Sequence, residues 1–396
     1  MKKMFKDLKK FKYAQKLKQW REAVQELPEY FDGMENLHDR IHPGKIWLEV
    51  SDIKDLSHDT KLYRLIPARS TKVLPPFRAG QYIGLTLEIS GVRTSRPYSL
   101  VSSPNQNAYY ELGIRKKEDG FVSVYLYNYL KIGDIIEATE PLGIFYYNKL
   151  FHGENLVFIA GGCGITPFIS MLRDISERLL PLNVWVLFGC LTEGDILFRG
   201  ELEDLQARRP NIKINCILSE AGSDWNGACG FITKDIIESF IGKLEDKFFY
   251  VVGNRDMYQF IFKELEDLSI PKHRISYEAY GTPDDVTKVI GWPRSIDSTK
   301  KVKISVKYNI RNEIGLKTFE TFCIEPLLNS IEREMGKELE IESGCRSGAC
   351  ALCRTKLVTG EIFIPPEVTI REVDQKFGYI HPCISYPLTD LTLDLT

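Results

Sequence analysis

Between Ile46 and Tyr147 apolar and polar positions alternate in short runs, Trp47 to Val50, Thr60 to Ile66, Tyr82 to Ile89, Tyr109 to Arg115 and Asp134 to Ala138, each closed by turn-forming residues. A period of two at this spacing predicts half-buried strands curled into an antiparallel barrel. From Asn155 the pattern changes. The runs Leu156 to Ala160, Val184 to Phe188, Lys213 to Leu218 and Phe248 to Val252 are nearly all apolar and are separated by helical stretches. That alternation predicts an α/β domain on a parallel sheet. Near the start, Met4, Phe5, Leu8 and Phe11 share one helical face while Tyr13, Leu17, Trp20, Val24 and Leu27 lie on another, so a broken helix or two short ones is expected. Residues from Gly281 to Ser298 are rich in Gly, Pro, Asp, Ser and Thr, as a connector is, and β-prone runs resume at Val302 to Val306 and Thr318 to Phe322.

These shifts divide the chain into a helical extension (1–44), a barrel domain (45–150), an α/β domain (151–282), a linker (283–300) and a separate last domain (301–396). Composition agrees with several globular domains: 396 residues, 43% hydrophobic and 27% charged. The formal net charge of −2 argues against a chain-wide nucleic-acid footprint, but the balance is uneven. The first 21 residues carry nine Lys or Arg against Asp7 alone, a net +8 that leaves −10 for the rest. This segment reads as a solvated helix or as a docking element for an acidic partner or an anionic membrane surface. Lysines interrupt it too often for the apolar core of a signal peptide. Asn155 to Leu172 is uncharged, but Gly161, Gly162, Gly164 and Pro167 suit a strand, a turn and a helix start. No transmembrane segment is expected, and a cytoplasmic setting is.

Nine cysteines in a chain of this length do not form a disulfide framework, and spacing singles out four of them. Cys345, Cys350, Cys353 and Cys383 give C-x4-C-x2-C-x29-C, the spacing of a plant-type 2Fe-2S ligand set. Three thiolates on one tight loop can surround a cluster only where small residues let backbone N–H groups turn inward, and Gly344, Ser347, Gly348 and Ala349 are small. A four-cysteine zinc site more often uses two close pairs, whereas Cys383 stands alone in sequence. The segment from Glu342 to Cys353 together with Pro382-Cys383 resembles plant-type ferredoxins, which implies a β-grasp (α+β) fold. The remaining cysteines, Cys163, Cys190, Cys216, Cys229 and Cys323, lack ligand spacing and are expected as small buried apolar residues.

Arg96-Pro97-Tyr98-Ser99, then Asp119-Gly120-Phe121-Val122-Ser123, then Pro141-Leu142-Gly143, then Gly161-Gly162-Cys163-Gly164-Ile165-Thr166-Pro167 occur in that order. A guanidinium can pair with phosphate, a phenol ring can pack on a flavin, and a glycine-started helix offers free N–H groups to an anion. As an ordered set, the R-x-Y-S, G-x-x-S and GG-x-G-x-TP motifs resemble the ferredoxin-NADP reductase superfamily over about residues 46 to 280. That resemblance implies that Arg96, Pro97, Tyr98 and Ser99 hold a flavin, with Ser99 near the atom that accepts hydride. It also places Gly120, Phe121, Val122 and Ser123 at the flavin phosphates and Ile114 and Arg115 beside the flavin. Gly161, Gly162, Gly164, Thr166 and Pro167 would receive the nicotinamide dinucleotide, with Asp195, Gly253 and Met257 lining its site and Tyr280 shielding the flavin ring. One departure stands out: relatives carry Cys-Gly-Pro before the methionine, and this chain has Val252-Gly253-Asn254.

At the adenosine segment Leu191 stands where NADP-using relatives place Arg, and Glu193 and Asp195 are close by, so NADH is favoured over NADPH. FAD is favoured over FMN. Hydride is a two-electron donation and a 2Fe-2S cluster takes one electron at a time, so a flavin between them is the converter that the chemistry requires. The chain is therefore expected to pass electrons from NADH through flavin and cluster to a protein acceptor, as reductase components of oxygenases do, with no acid or base needed at the hydride step. The alternatives are a redox-responsive regulator, an electron-transfer subunit of a larger complex, or transfer in reverse from a low-potential partner to NAD.

Overall fold

The computed structural model describes residues 41–395 except positions 69, 70, 72, 280, 311, 312, 337, 338, 367 and 369. The chain divides into residues 1–44 and 45–396, and the second unit holds all three sheet-built domains. The helical extension and its lysine run, and Tyr280, lie outside the described residues.

The first domain is an antiparallel sheet in the order β4-β3-β6-β1-β2-β5, built from β1 (Lys45–Asp55), β2 (Thr60–Pro67), β3 (Tyr82–Ile89), β4 (Val92–Ser99), β5 (Tyr110–Arg115) and β6 (Ile135–Thr139). Alternation builds it: Ile83, Leu85, Leu87 and Ile89 of β3 and Ile46, Leu48 and Val50 of β1 all point inward to one core. A bridge between Leu100 and Leu112 draws the two edges together, so the sheet curls as a half-barrel. Helix α1 (Phe121–Tyr129) follows β5 and buries Val122 and Leu126 against it.

The second domain is a wholly parallel sheet, β10-β9-β8-β7-β11-β12, from β7 (Asn155–Gly161), β8 (Asn183–Cys190), β9 (Ile212–Leu218), β10 (Ala228–Cys229), β11 (Phe248–Gly253) and β12 (Ile275–Ala279). Its helices are α2 (Thr166–Glu177), α3 (Arg199–Arg208), α4 (Lys234–Ile241) and α5 (Arg255–Asp267). With helices covering both faces, the central strands need no polar side, which explains the unbroken apolar runs of β7 and β11. Even residues of β7 (Leu156, Phe158, Ala160) join one core and odd ones (Val157, Ile159) the other.

The last domain holds a mixed sheet, β14-β13-β19-β15-β17, with β13 (Lys301–Ile310), β14 (Glu313–Phe322), β15 (Thr355–Thr359), β17 (Tyr379–Ile380) and β19 (Leu391–Asp394), and a small pair, β16 (Ile362–Phe363) with β18 (Tyr386–Pro387). β13 and β19 run parallel, and α6 (Leu327–Met335) closes the core by burying Leu327, Leu328, Ile331 and Met335. Helix α7 (Glu372–Lys376) precedes the last cysteine ligand candidate. Among the described residues no helix is long and apolar enough to cross a membrane.

Two expectations change. The stretch expected as a connector is partly folded onto the last domain: Val286 and Trp292 are buried, and Trp292 meets Phe363 edge-on with ring centroids 5.2 Å apart. Its polar composition hid two apolar anchors. Cys229, expected to be buried, is exposed, because β10 is a two-residue edge strand with only β9 beside it.

Candidate functional site

On the flavin side, β4 brings Arg96, Pro97, Tyr98 and Ser99 to the edge of the half-barrel, and Ser99 is buried. Arg96 donates from Nη1 to Thr94 Oγ1 at 2.7 Å and to the Ser95 carbonyl at 2.7 Å. Burial, with the Arg346 guanidinium adding to it, pushes Arg96 down to about 10. A desolvated cation beside a second cation is under-compensated, and an anionic or polar ligand group at this point would relieve it. Ile114 is buried in β5, and Arg115 next to it is held by Asp59 at 2.5 Å. Helix α1 starts at Gly120 with no side-chain cap on its first N–H groups. A Cβ at Gly120 would collide with Ser123 Oγ and lie 2.9 Å from the Lys117 carbonyl, so that turn requires glycine. The uncapped helix start is the place sequence reasoning assigned to phosphate.

The residues expected to receive the nicotinamide dinucleotide gather at the carboxyl end of β7, where parallel-sheet sites form. A Cβ on Gly164 would come within 2.5 Å of the Val252 carbonyl, and one on Gly161 would collide with Met257 Sδ. Gly253 faces the same thioether, so Gly161, Gly253 and Met257 form one close-packed floor. Gly162 adopts φ of +50°, with Arg115 Nη1 lying 3.0 Å from where its Cβ would be. Arg115 thus lies beside the glycine turn while paired with Asp59. Thr166 and Pro167 start α2, both buried, and Thr166 Oγ1 donates to the Cys163 carbonyl at 2.9 Å. Burial pushes the Cys163 thiol up, which argues against a reactive thiolate there. Where relatives carry proline, Asn254 caps α5 by accepting the Met257 N–H at 2.9 Å.

At the adenosine end, Asp195 caps a short turn, accepting from Thr192 N at 3.0 Å and Thr192 Oγ1 at 2.7 Å, and lies 3.7 Å from His58 Nδ1. Its carboxylate is occupied by the protein itself. Arg199, the nearest basic side chain in that segment, pairs with Glu193 and, at 2.9 Å, with Glu203.

The four cysteines converge from one loop and from the turn Pro382–Ile384. The Cys345 and Cys350 amides each donate to the other residue's sulfur, at 3.4 and 3.3 Å, and the Ser347 amide donates to Cys345 Sγ at 3.4 Å. The backbone is left-handed at Arg346, Gly348 and Ala351, which is how a short loop turns its amides inward. At Gly348 a Cβ would sit 2.8 Å from Val368, so glycine is required there on two counts. Cys350 and the inward amides push the Cys345 thiol down, favouring thiolate. Side-chain contacts pair Cys345 with Cys350 and Cys353 with Cys383. Two thiol pairs suit two irons better than one zinc.

Comparison with known proteins agrees domain by domain. Residues 47–147 match the oxidoreductase FAD-binding domain, 158–263 the oxidoreductase NAD-binding domain and 318–388 the 2Fe-2S iron-sulfur cluster binding domain. Ferredoxin--NADP reductase B of Sorangium cellulosum is 31% identical over 52% of this chain and 85% of its own length. The chain belongs to the ferredoxin-NADP reductase family. A C-terminal 2Fe-2S ferredoxin domain extends it. The glycine betaine monooxygenase reductase subunit of Chromohalobacter salexigens is similar across all three domains, 24% identical over 80% of this chain and 87% of its own. The phthalate dioxygenase reductase structure shares the fold, with a TM-score of 0.64 at 21% identity, covering 89% of this chain and 98% of that one. The chain is an oxidoreductase carrying FAD-binding, NAD-binding and 2Fe-2S domains.

Two residues gain a place that sequence reasoning did not give them. Burial keeps the phenol of Tyr82, at the start of β3, protonated, and Cys345, Cys350, Glu278 and Cys383 nearby add to that. Glu278, at the end of β12, is pushed up to about 8 by burial and by Cys345, and its Oε2 finds no hydrogen-bond partner among the described residues. A buried acceptor without a donor, where the three domains meet, fits a site built to receive a further hydrogen-bonding group. No motif in the sequence marks Tyr82 or Glu278.

Proposed function

We propose that this protein is an NADH-dependent reductase component that delivers electrons, through its own flavin and 2Fe-2S sites, to a separate redox protein of the oxygenase class. The observation that carries this reading is the placement of the cysteine loop directly on the flavin half-barrel. Ser95 Oγ meets Ser343 Oγ at 2.7 Å, two residues before Cys345, and a Cβ on Gly344 would come within 3.3 Å of Leu142. Short separation between the two redox sites is what an internal relay needs.

When bound, flavin converts the two electrons of a hydride into the single electrons that a 2Fe-2S cluster carries. The protein's own contribution is placement. Gly161, Gly162 and Gly164 let a dinucleotide approach backbone N–H groups, and Thr166 and Pro167 start the helix behind them. Arg96, Tyr98 and Ser99, with Ile114 and Arg115, hold the flavin edge, and Gly120 to Ser123 offer the helix start to phosphate. Cys345, Cys350, Cys353 and Cys383 supply four thiolates. Each two-electron reduction by NADH, releasing NAD⁺, is balanced by two one-electron reductions of the acceptor.

The preference for NADH is supported by Arg199. With its guanidinium engaged by Glu193 and Glu203, no cation in that segment is left for a 2′-phosphate. The oxygenase class of acceptor is supported by the glycine betaine monooxygenase reductase subunit, which is similar over 80% of this chain. Anaerobic titration of the purified protein with NADH and, separately, NADPH, after iron counting and identification of the released flavin, tests the reading. Bleaching of both flavin and cluster by NADH, with NADPH much slower, is expected. Bleaching by neither would overturn the direction of flow, and preference for NADPH would overturn the reading of the adenosine end.

A further inference from the structure

At the contact between the ferredoxin domain and the half-barrel the Thr94 hydroxyl is a buried hub. Thr94 Oγ1 donates to Glu332 Oε2 at 2.8 Å and accepts from Arg346 Nη2 at 3.0 Å and Arg96 Nη1 at 2.7 Å. One donor and two acceptor positions exhaust a hydroxyl. Arg346 is also ion-paired to Glu332, and its Nη1 donates to Asn329 Oδ1 at 3.1 Å. Glu332 is on α6, Arg346 lies between the first two cluster cysteines, and Arg96 belongs to the flavin motif. Beside this junction Ser95 Oγ meets Ser343 Oγ at 2.7 Å and donates to the Ser343 carbonyl at 3.1 Å.

We propose that Thr94, Glu332 and Arg346 form a positioning lock that seats the cysteine loop against the flavin site, with the Thr94 hydroxyl joining the flavin anchor Arg96 to the cluster loop. Glu332 is the buried carboxylate of this junction among the described residues and offsets both guanidiniums, so buried charge holds the two domains in a single register. The proposal rests on the internal relay from flavin to cluster. If Arg346 left, the buried Glu332 carboxylate would lose its ion pair and keep only the Thr94 hydroxyl, out of water. The lock thereby fixes the cluster loop while leaving the glycine turn of the nicotinamide site untouched.

The test is anaerobic stopped-flow mixing of the holoprotein with NADH, following flavin and cluster bleaching separately, in wild type and in Thr94→Val, Thr94→Ser and Glu332→Gln. Amide deuterium exchange over residues 327–335 and 343–350, without NADH, gives a readout independent of turnover. Expected is flavin bleaching within about twofold of wild type in Glu332→Gln, which leaves the hydrogen bond between Arg96 and Thr94 in place. Cluster bleaching should slow by about tenfold or more in Thr94→Val and Glu332→Gln, as misplacement of reacting groups does, with Thr94→Ser restoring it and exchange over 343–350 rising in the slow variants. Cluster bleaching at the wild-type rate in both Thr94→Val and Glu332→Gln would overturn the proposal, and so would a Thr94→Ser variant as slow as Thr94→Val. Should Thr94→Val lose its flavin, Glu332→Gln alone decides. If wild type bleaches flavin but never the cluster, the relay reading fails, whereas unchanged exchange in both variants means the lock itself fails.

Discussion

The half-barrel has two neighbours, and it holds them by different physics. Against the nicotinamide domain it contributes Ala79, Val101 and Phe145 to a core shared with β7, β8, β11 and α2. Phe145 sits edge-on to Tyr250 at 5.3 Å and tilted to Phe168 at 6.0 Å. Arg173 of α2 reinforces that side, donating to Glu111 at 2.8 Å and to the Val101 carbonyl at 3.0 Å. Against the ferredoxin domain no apolar core is shared among the described residues; the ferredoxin cores draw only on residues from Val286 onward. The contact there is made of hydroxyls and charges: Thr94, Ser95, Ser343, Glu332 and Arg346 inside, and Lys45, Arg93 and Glu340 at the rim. Apolar burial is strong and non-directional, whereas hydrogen bonds between buried groups are modest in net strength and specific in geometry. The hydride-transfer pair is thus built as one body, and the cluster is docked by register.

Phe145→Ala should produce the largest effect, because it empties the shared core. Loss of a buried phenyl costs about 3 to 5 kcal/mol. Calorimetry should show the flavin and nicotinamide domains unfolding together at a lowered temperature, with the ferredoxin domain's transition little moved. A drop confined to one of the two would break the description of a single body. Arg173→Met is the next step down. Glu111 is buried and would keep Arg64 at 2.8 Å while losing its second guanidinium. Leaving part of a buried carboxylate unpaired costs about 1 to 3 kcal/mol, readable as a shift in urea midpoint. No loss would mean that Arg64 alone satisfies Glu111.

The difference between the two walls also governs what the sequence disclosed. The cysteine spacing and the glycine turns were legible because each places a backbone in a conformation or contact that few residues tolerate, as Gly164 does under the Val252 carbonyl. Strand periods revealed both large sheets, since burial on one face or two writes directly into the pattern. The ferredoxin contact was not legible. Thr94, Glu332 and Arg346 are more than 200 positions apart at their widest, and a threonine in a strand or a glutamate on a helix carries no mark of its partner until the domains dock. Trp292 was overlooked for a related reason: one anchor in a polar stretch has no period to betray it. Glu278 and Tyr82 likewise gain meaning only from the cysteines brought beside them.

The smallest expected effect comes from the rim, and it sharpens the contrast between rim and lock. Glu340 pairs with Lys45 at 3.1 Å and Arg93 at 3.3 Å, but its side chain is 39% exposed and Lys45 is 44% exposed. Pairs so accessible contribute about 0 to 1 kcal/mol and fade with salt. After Glu340→Gln both cations keep Glu137, at 2.7 Å for Arg93 and 3.2 Å for Lys45, so no charge is stranded. The thermal midpoint of the ferredoxin domain should therefore hold to within about 0.5 kcal/mol of stability. Raising salt to about 1 M should leave cluster bleaching in wild type nearly unchanged, since screening over about 3 Å cannot enter a junction that excludes water. A Glu340→Gln variant destabilised as much as Glu332→Gln would shift the seat of register from the buried hydroxyl to the exposed rim, and the docked wall would then be an electrostatic contact that any rise in ionic strength loosens.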